Sequence, residues 1–600
     1  MGINDIWTLA KPAGKRETLS HLALSSLGMR ANSSQPMVEK VIVIGIDMGT
    51  YMDECVASTK SKGIHSAFAG ASALRPFFFR LCALLNKAAN FVFVYDGPER
   101  PEVKRGKKVQ RHRKLWWVKP TQLLIESFGF CIHQAPGEAE AELALLNRWG
   151  VVQAIMTADG DALLGSAPII LRTIKAKDRG ADDEVTRYDD VTITNDLSFT
   201  LSRRLLFALL CGGDYSDRLC GYKSAEAIVL SGVGDNLMDL AKRAQNAAEL
   251  TQAVASWKQT AHSRALKGDL QLDTRARNSF LSALNRFPTS DAIDLYITPK
   301  TSCTHPSYLP DSAAWDMVQQ PDVPRLIGAC MSQVGWSDAA ELLKKLEANA
   351  LEGFVLRLIY SRRCIWDETT RSFGTSTRRL KIQGSHVEMR EAAAIHGEQF
   401  VRLELSPAEL TKAFELEDLA EEAERGEAAT KNVFRVWVQP QFLPEWAQNL
   451  GKGARNIGKG RGTSGPSKGG SAKGAREGSS KRHLSKGGTS KAALTGGPLK
   501  SLLQAGLSKG SSEKRSPKGC VSKTAVAEAS SAQEAVGAAA EVDGNAGAGG
   551  GLSKAAGKRK VEEYVLDVVL EIGGDGEVFE SEEIVKRRRP NTPPEIINLT

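Results

Sequence analysis

The sequence lacks the features that mark secreted, zinc-thiolate and membrane proteins. It has only nine cysteines in 600 residues, and no two of them form a CxxC pair. Neither a zinc site nor a disulfide framework is therefore indicated. No apolar run approaches the roughly 18–20 residues that span a bilayer, so we expect no membrane partner. The length exceeds what one hydrophobic core usually serves and predicts two to four units.

The sequence also lacks an even distribution of charge. The net charge of +9 comes entirely from residues 451–600, which hold 25 Lys and Arg against 16 Asp and Glu. Within them, residues 451–526 have 17 basic and 2 acidic residues, whereas residues 527–600 have 8 and 14. A basic segment rich in Gly and Ser is typical of disordered chain, and a polyanion is its commonest partner. Nucleic acid is the expected ligand.

Three short apolar runs predict an α/β fold with a mostly parallel sheet. The runs Val41–Asp47, Phe91–Asp96 and Val151–Thr157 are rich in β-branched and aromatic residues, as buried parallel strands are. Helical patterns lie between them, and a further helix is predicted to end at Gly212. Ligands of such sheets bind outside the carboxyl ends of the strands.

Seven carboxylates are predicted to meet at that edge. Asp47 and Asp96 end two of the strands, and Asp159 and Asp161 follow the third. Glu138 and Glu140 open the helix after Pro136-Gly137, and Asp214 follows the glycine stop of another helix. Taken one at a time, such residues more often cap helices, complement a helix dipole or form turns. Together they would repel one another unless divalent cations neutralised them.

The type of ligand indicates the metal and the chemistry. Oxygen donors without His or Cys suit Mg²⁺ or Mn²⁺. Two such ions about 4 Å apart are a common device for phosphodiester hydrolysis. The basic stretch Arg100–Lys119 follows one of the carboxylates, and a helix there would place Lys104, Lys108 and Arg111 on one face to hold a phosphate. A merely solvated basic helix is the alternative.

These motifs resemble the XPG/flap-endonuclease family of structure-specific nucleases. The segments "MGINDIW", "VFVYDGPERPEVKRGK", "APGEAEAELA", "TADGD" and "LLCGGDYSD" occur in the family's order over about residues 1–235. The resemblance implies a PIN-like nuclease core, metal-ligand roles for the seven carboxylates and phosphate-gripping roles for Lys104 and Arg111. Lys107 and Lys108 are expected to contact DNA. Glu142 has no such role and is expected only to decorate its helix.

The start "MGINDIW" and the short segment between Asp96 and Glu138 resemble the Holliday-junction resolvase branch most. The sequence departs from the family pattern in three places, of which the first is the long polar linker Ser33–Lys40 before the first strand, with Lys60–Ala73 equally irregular. "ALLGSA" after Asp161 lacks the usual aromatic residue. In the helix–two-turn–helix, "LCGYKSAEA" keeps Gly221 and Lys223 for a DNA phosphate and K⁺ but has no second glycine.

Resemblance and composition together divide the chain into six segments. They are two nuclease regions (1–120 and 121–202), a helix–two-turn–helix region (203–300), a helical connector (301–352), a chromodomain-like module (353–447) and a disordered basic tail (448–600).

The function implied is Mg²⁺-dependent cleavage of branched double-stranded DNA, namely 5′ flaps and Holliday junctions, with a homodimer acting on four-way junctions. A pure 5′-flap nuclease and a catalytically silent DNA-structure or chromatin-binding protein are the alternatives. In the tail, "GKRK" and "KRRRP" resemble nuclear-import signals, so the nucleus is the expected location. The runs "YVLDVVLEI" and "EIINLT" resemble SUMO-interacting motifs.

Overall fold

The three apolar runs form the centre of a seven-stranded sheet in the computed structural model. The strands of this sheet are β1 (Lys15–Thr18), β4 (Ile42–Asp47), β5 (Ala89–Tyr95), β8 (Cys131–Gln134), β9 (Ala154–Met156), β10 (Ile169–Thr173) and β11 (Glu184–Asp189). Their spatial order is β1-β11-β10-β9-β4-β5-β8. The five strands from β10 to β8 run parallel, while β11 and β1 pair antiparallel at one edge. The predicted α/β class is confirmed.

The structure describes most of the first 450 residues and a short part of the tail. The described residues are 2–3, 5–29, 36–60, 69–109, 115–174, 178, 183–383, 389–391, 399–423, 433–448, 450, 567–572 and 578–583. The chain divides into two compact units, residues 1–472 and 473–600. No helix among the described residues is long and apolar enough to cross a bilayer.

The parallel strands are buried on both faces, which explains their continuous apolar sequence. Along β5, Phe91 and Phe93 face one hydrophobic cluster, and Val92 and Val94 face the other. Helices cover both faces. Those of the nuclease region are α1 (Ile6–Ala10), α2 (Leu19–Ser25), α3 (Met48–Lys60), α4 (Ala69–Leu85), α5 (Val118–Ser127), α6 (Ala139–Arg148) and α7 (Asp190–Asn195).

The order of the parallel strands creates a switch point in the sheet. The chain builds outward from β4 through β5 to β8, then returns to the other side of β4 with β9 and β10. Connections on the two sides of β4 therefore leave in opposite directions, which opens a crevice at the carboxyl ends of β4 and β9. Of the predicted carboxylates, Asp47 ends β4, and Asp159 and Asp161 follow β9.

Residues 201–359 are mainly helical, as the sequence predicts. Six helices follow the sheet: α8 (Leu201–Cys211), α9 (Tyr222–Leu230), α10 (Leu237–Arg243), α11 (Ala247–Lys267), α12 (Thr274–Asn285) and α13 (Ser290–Ile297). Three more are α14 (Val323–Ala329), α15 (Ala339–Asn349) and α16 (Leu351–Ile359). The fully buried Arg357 of α16 donates hydrogen bonds to the carbonyl oxygens of Ala89 and Gly129, which ties this helix to the sheet.

A second sheet follows the last of these helices. Its strands are β12 (Ile365–Asp367), β13 (Ser372–Gly374), β14 (Arg379–Gln383), β15 (Met389–Glu391), β16 (Gln399–Leu405) and β17 (Phe434–Val438), with α17 (Pro407–Ala413), α18 (Glu417–Glu422) and α19 (Glu445–Gln448). The predicted β-rich character is present, but residues 353–359 belong to α16 and not to the sheet. All seven of these residues are buried, so the helix is covered around its circumference, which explains why its sequence is apolar at nearly every position. The chromodomain-like identity stays a prediction.

Two segments of the tail pair as a hairpin, β18 (Asp567–Ile572) with β19 (Val578–Glu583). The prediction of a tail without regular structure is therefore wrong for these segments; the first strand is rich in β-branched residues (Val568, Val569 and Ile572), which favour strands. The first strand lies inside the run "YVLDVVLEI". The rest of the predicted disordered tail, with the basic block, the import-like signals and "EIINLT", lies outside the described residues.

Candidate metal and nuclease site

Strand ends place the first two carboxylates. Asp47 is the last residue of β4 and Asp96 follows β5 directly. Asp47 is almost fully buried and accepts hydrogen bonds from the Thr157 hydroxyl at 2.9 Å and from the Thr50 backbone N–H at 3.2 Å. Asp96 is exposed and accepts from the backbone N–H of Ala139 at 3.0 Å. The strand β5 is thereby linked to the start of α6.

The start of α6 adds two glutamates. Glu138 is the N-cap residue and Glu140 lies in the first turn, and both side chains are buried. The Glu138 side chain makes no capping hydrogen bond to its own helix. It contacts the Lys104 ammonium and accepts from the Tyr215 hydroxyl instead. Complementing the helix dipole therefore does not account for this residue.

Asp159 and Asp161 come together with the N-terminal segment. The Asp161 backbone N–H donates to Asp159 Oδ1 at 3.0 Å, and the Ile3 backbone N–H donates to Asp161 Oδ1 at 3.2 Å. Gly2 has a φ of +62°, and a β-carbon there would lie 1.8 Å from Asp159 Oδ1. Only glycine permits this approach of the backbone to the carboxylates.

Asp214 completes the set from the helical side. It follows α8 after Gly212, whose φ of +77° ends the helix as predicted. Asp214 is buried, and its oxygens contact the Lys104 ammonium at 2.9 Å and the Arg105 guanidinium at 2.8 Å. The structure thus brings all seven predicted carboxylates to one crevice, although their metal-ligand roles stay a prediction.

The pKa values of these groups show the electrostatic cost of the arrangement. Burial, together with the neighbouring Asp96, raises the pKa of Asp47 to about 7. Burial and adjacent carboxylates raise the pKa values of Glu140 and Asp161 well above their usual range. Although burial opposes it, the cations of Lys104 and Arg105 lower the pKa of Asp214. Together with Arg100, which contacts Asp96 at 3.2 Å, these side chains supply three positive charges beside seven carboxylates.

The donor set fits hard divalent cations. Every candidate ligand is a carboxylate, and Asp161 Oδ2 is buried with no hydrogen-bond donor in the described part of the chain. An acceptor oxygen in that position suits a cation. Among the residues that the structure describes, no three of these side chains already form a coordination shell. The Lys104 ammonium, which contacts Glu138, Glu140 and Asp214, lies among their oxygens.

The basic stretch is a hairpin where it is described, so the predicted helical face is wrong. The strands β6 (Val103–Lys104) and β7 (Lys107–Lys108) pair across Arg105-Gly106, which have φ values of +52° and +68°. Two consecutive positive φ values define a tight hairpin turn and end any helix. Lys104 reaches the carboxylates while Lys107 and Lys108 stay exposed. Arg111 lies outside the described residues.

The predicted helix–two-turn–helix residues lie on the surface. Gly221 is the N-cap of α9 and has open space around it, and Lys223 is exposed in the first turn. The position is compatible with a phosphate contact at a helix N-terminus. Roles for these residues and for K⁺ stay predictions.

Three residues of the site were missed from the sequence. Arg105 donates from its backbone N–H to the Asp214 carbonyl at 2.7 Å and from its side chain to Gly2 O at 3.2 Å. Tyr215, next to Asp214, holds Glu138. The Arg-Gly pair within "VKRGKK" was a turn signal that could have revealed the hairpin.

The expectation that Glu142 only decorates its helix is wrong. Glu142 is the third residue that the sequence reading missed. Its side chain is fully buried and bonds to His133 and Ser302. It cannot decorate the surface because α6 is covered at that position by the segment following α13.

A cavity of about 370 Å³ adjoins the carboxylates. It reaches Glu138, Glu140 and Asp161 and is walled in part by Leu164 and Ser166. These wall residues belong to "ALLGSA", where the family pattern has an aromatic residue.

Comparison with known proteins identifies the core. The family model described as the XPG I-region matches residues 129–214, the segment that supplies Glu138, Glu140, Asp159, Asp161 and Asp214. The human flap endonuclease GEN homolog 1 is 28% identical over 233 residues, which is 36% of this chain and 23% of that protein. The flap endonuclease GEN of Drosophila pseudoobscura pseudoobscura is 25% identical over 247 residues, 36% of this chain and 30% of that protein. The chain spans less than a third of the length of these two relatives.

Solved structures share the fold. A GEN-1 structure described as a eukaryotic junction-resolving enzyme binding potassium superposes with a TM-score of 0.54 at 21% identity, covering 76% of this chain and all of that one. The Holliday junction-resolving enzyme GEN1 in complex with product DNA and Mg²⁺ gives 0.51 at 22% identity, covering 75% and 99%.

The shared fold and the match of residues 129–214 to the XPG I-region support the resemblance to the XPG/flap-endonuclease family that the motifs indicate. The relatives named GEN support the predicted resolvase branch of that family.

Proposed function

We propose that this protein is a divalent-metal-dependent, structure-specific endonuclease that cuts branched double-stranded DNA. The observation that carries the proposal is the convergence of seven carboxylates, five of them almost fully buried, at the switch point of a doubly wound sheet. A protein that used this surface only for binding would gain stability by replacing such mutually repelling groups. Relatives named flap endonucleases support the reaction class.

The cofactor proposed is a pair of Mg²⁺ ions, for which Mn²⁺ can substitute. Bound at such a site, two ions activate water and stabilise the leaving oxygen of a phosphodiester. Asp47, Asp96, Asp159 and Asp161 are the carboxylates best placed to hold them, with Glu138, Glu140 and Asp214 shared with Lys104. Thr157 and Tyr215 orient two of these carboxylates through hydrogen bonds.

The proposed substrates are 5′ flaps and Holliday junctions. The described residues of the connection between β5 and α5, 96–109 and 115–117, contain a hairpin of six residues and no helix. A short connection leaves the crevice accessible to duplex arms that have no free end. Action as a homodimer on four-way junctions is the corresponding proposal, and K⁺ at Gly221 would aid duplex binding.

The tail is proposed to supply location and affinity. Its basic block would bind phosphates without reading sequence, and the import-like signals would direct the protein to the nucleus. A SUMO partner could add a strand beside β18, although β18 already pairs with β19 on one edge.

The test is cleavage of labelled 5′-flap, four-way-junction and unbranched duplex DNA with Mg²⁺ or EDTA. We expect Asp159→Asn to abolish cleavage while binding of branched DNA persists, because one lost ligand removes charge stabilisation in the transition state. Asp196→Asn, an exposed aspartate after α7, is the matched control. Cleavage that survives EDTA or Asp159→Asn would refute the metal site.

A cruciform plasmid distinguishes the two substrate proposals. Paired cuts by a dimer give linear product, whereas an enzyme restricted to flaps leaves the plasmid intact. Binding of branched DNA without cleavage of any substrate would favour the silent binding protein.

A further inference from the structure

The tip of the hairpin β6–β7 lies inside the carboxylate cluster. The Lys104 ammonium contacts Glu138, lies 2.9 Å from Asp214 Oδ2 and 3.7 Å from Glu140 Oε1. Arg105 holds the same hairpin to Asp214 through its backbone N–H and its guanidinium. Three acidic side chains that could hold a metal therefore already share one internal cation.

This contact is electrostatically strong because it is shielded from water. Glu138 and Glu140 are 7% exposed and Asp214 is 4% exposed. The Lys104 ammonium lies against all three of these buried carboxylates at once. An ammonium and a divalent ion repel each other strongly at such distances and cannot share these oxygens.

The hairpin is held by few interactions and can leave. Each of its strands has two residues, and Val103, Lys107 and Lys108 are exposed. Among the described residues, its ties to the core include the ionic contacts of Lys104 with the three carboxylates and the contacts of Arg105 with Asp214 and Gly2. A divalent ion that takes the place of Lys104 at these carboxylates removes the first set of ties, so the hairpin opens more readily when metal binds.

We propose that Lys104 is an exchangeable internal cation: it neutralises Glu138, Glu140 and Asp214 in the metal-free protein, and divalent ions displace it together with the hairpin. The inference rests on the proposed function, since the displaced Lys104 is then free to contact a DNA phosphate. Metal binding and the position of the hairpin are coupled, and the coupling is reciprocal.

If Lys104 only stabilised the fold, removing its charge would weaken metal binding. The inference predicts the opposite, that removing its charge strengthens metal binding. Lys104→Met keeps most of the side-chain volume and removes the charge, so metal ions no longer compete with it. We expect Mn²⁺ to bind this variant about tenfold more tightly than the wild type in the absence of DNA. Lys107→Met, which removes a charge from the exposed partner position of the same hairpin, should bind Mn²⁺ within about twofold of the wild type.

The experiment is calorimetric titration of Mn²⁺ into the full-length protein without DNA, with a thermal melt of each variant to establish folding. Unchanged or weaker binding by folded Lys104→Met would overturn the inference while leaving the metal site intact. Absence of Mn²⁺ binding by wild type and variant alike would overturn both the inference and the proposed function.

A second measurement needs no variant. Limited trypsin digestion of the wild type, followed by mass spectrometry, reports cleavage after Lys104 and Arg105. Displacement of the hairpin should accelerate that cleavage about fivefold on addition of Mn²⁺. A rate that stays constant or falls when Mn²⁺ binds would overturn the displacement, even if Lys104→Met failed to fold.

Discussion

The backbone N–H of Ser302 donates a 2.8 Å hydrogen bond to Glu142 Oε2. The other carboxylate oxygen contacts His133 Nε2 at 3.0 Å and the Ser302 hydroxyl. Glu142 lies one turn after Glu138 on α6, so this buried network fastens the metal-site helix to β8 and to the segment after α13. Groups of this kind orient metal ligands without touching the metal.

Glu142→Ala should destabilise the protein by about 3 kcal/mol, because it leaves buried polar groups of His133 and Ser302 without their partner. Urea unfolding in EDTA measures the change. Glu421→Ala, at an exposed glutamate of α18, should change stability by less than about 0.5 kcal/mol. Equal stability of the two variants would show that the buried network contributes nothing.

Tyr215→Phe should weaken Mn²⁺ binding or slow single-turnover cleavage by about 10- to 100-fold. The change removes the hydroxyl that donates to Glu138 and keeps the ring, which packs edge-on against Tyr296 at 4.8 Å. Tyr95→Phe removes a comparable hydroxyl, which lies 2.8 Å from the Thr121 hydroxyl within the hydrophobic cluster of Phe91 and Phe93, and should leave metal affinity unchanged. Identical behaviour of the two variants would contradict a positioning role for Tyr215.

The metal-free protein should lose stability as pH rises from 5.5 to 7.5. Burial raises the pKa of Asp47 to about 7 from its ordinary value of 3.8, so between these values the folded state binds more protons than the unfolded state. Stability then falls with rising pH, and this contribution is lost above pH 7. We expect a melting temperature about 5 °C lower at pH 7.5 than at pH 5.5 in EDTA.

Mg²⁺ should reverse this trend, because it binds the ionised carboxylates and stabilises the folded state more at pH 7.5 than at pH 5.5. Asp47→Asn provides the control, since it removes the carboxyl group whose pKa burial raises to about 7. A melting temperature that rises with pH in EDTA would contradict the assignment.

Truncation after Gly451 should leave metal-dependent cutting at the same phosphates. It should weaken binding of all DNA structures alike and flatten the dependence of log affinity on log salt, because 17 basic residues of 451–526 are lost. Binding at several salt concentrations measures the slope. A shift of the cut positions, or an unchanged slope, would show that the tail acts in another way.

Local patterns of the sequence were sufficient for the framework of the site. Continuous apolar runs located β4, β5 and β9, because strands buried on both faces need apolar residues at every position. The acids at their ends converge through a general property of parallel sheets, that the carboxyl ends of the strands share one edge. The family motifs added the expected nuclease fold, which the comparisons confirm.

Tertiary structure alone decided how the cations and supporting groups meet the acids. The basic stretch was predicted as a helix, yet Arg105-Gly106 turn it into a hairpin that delivers Lys104 to Glu138 and Asp214. Glu142 had the pattern of a surface residue, but it is buried beneath a segment 160 residues later in the chain. Periodicity and composition describe neighbours along the chain, whereas burial, charge pairing and pKa depend on neighbours in space.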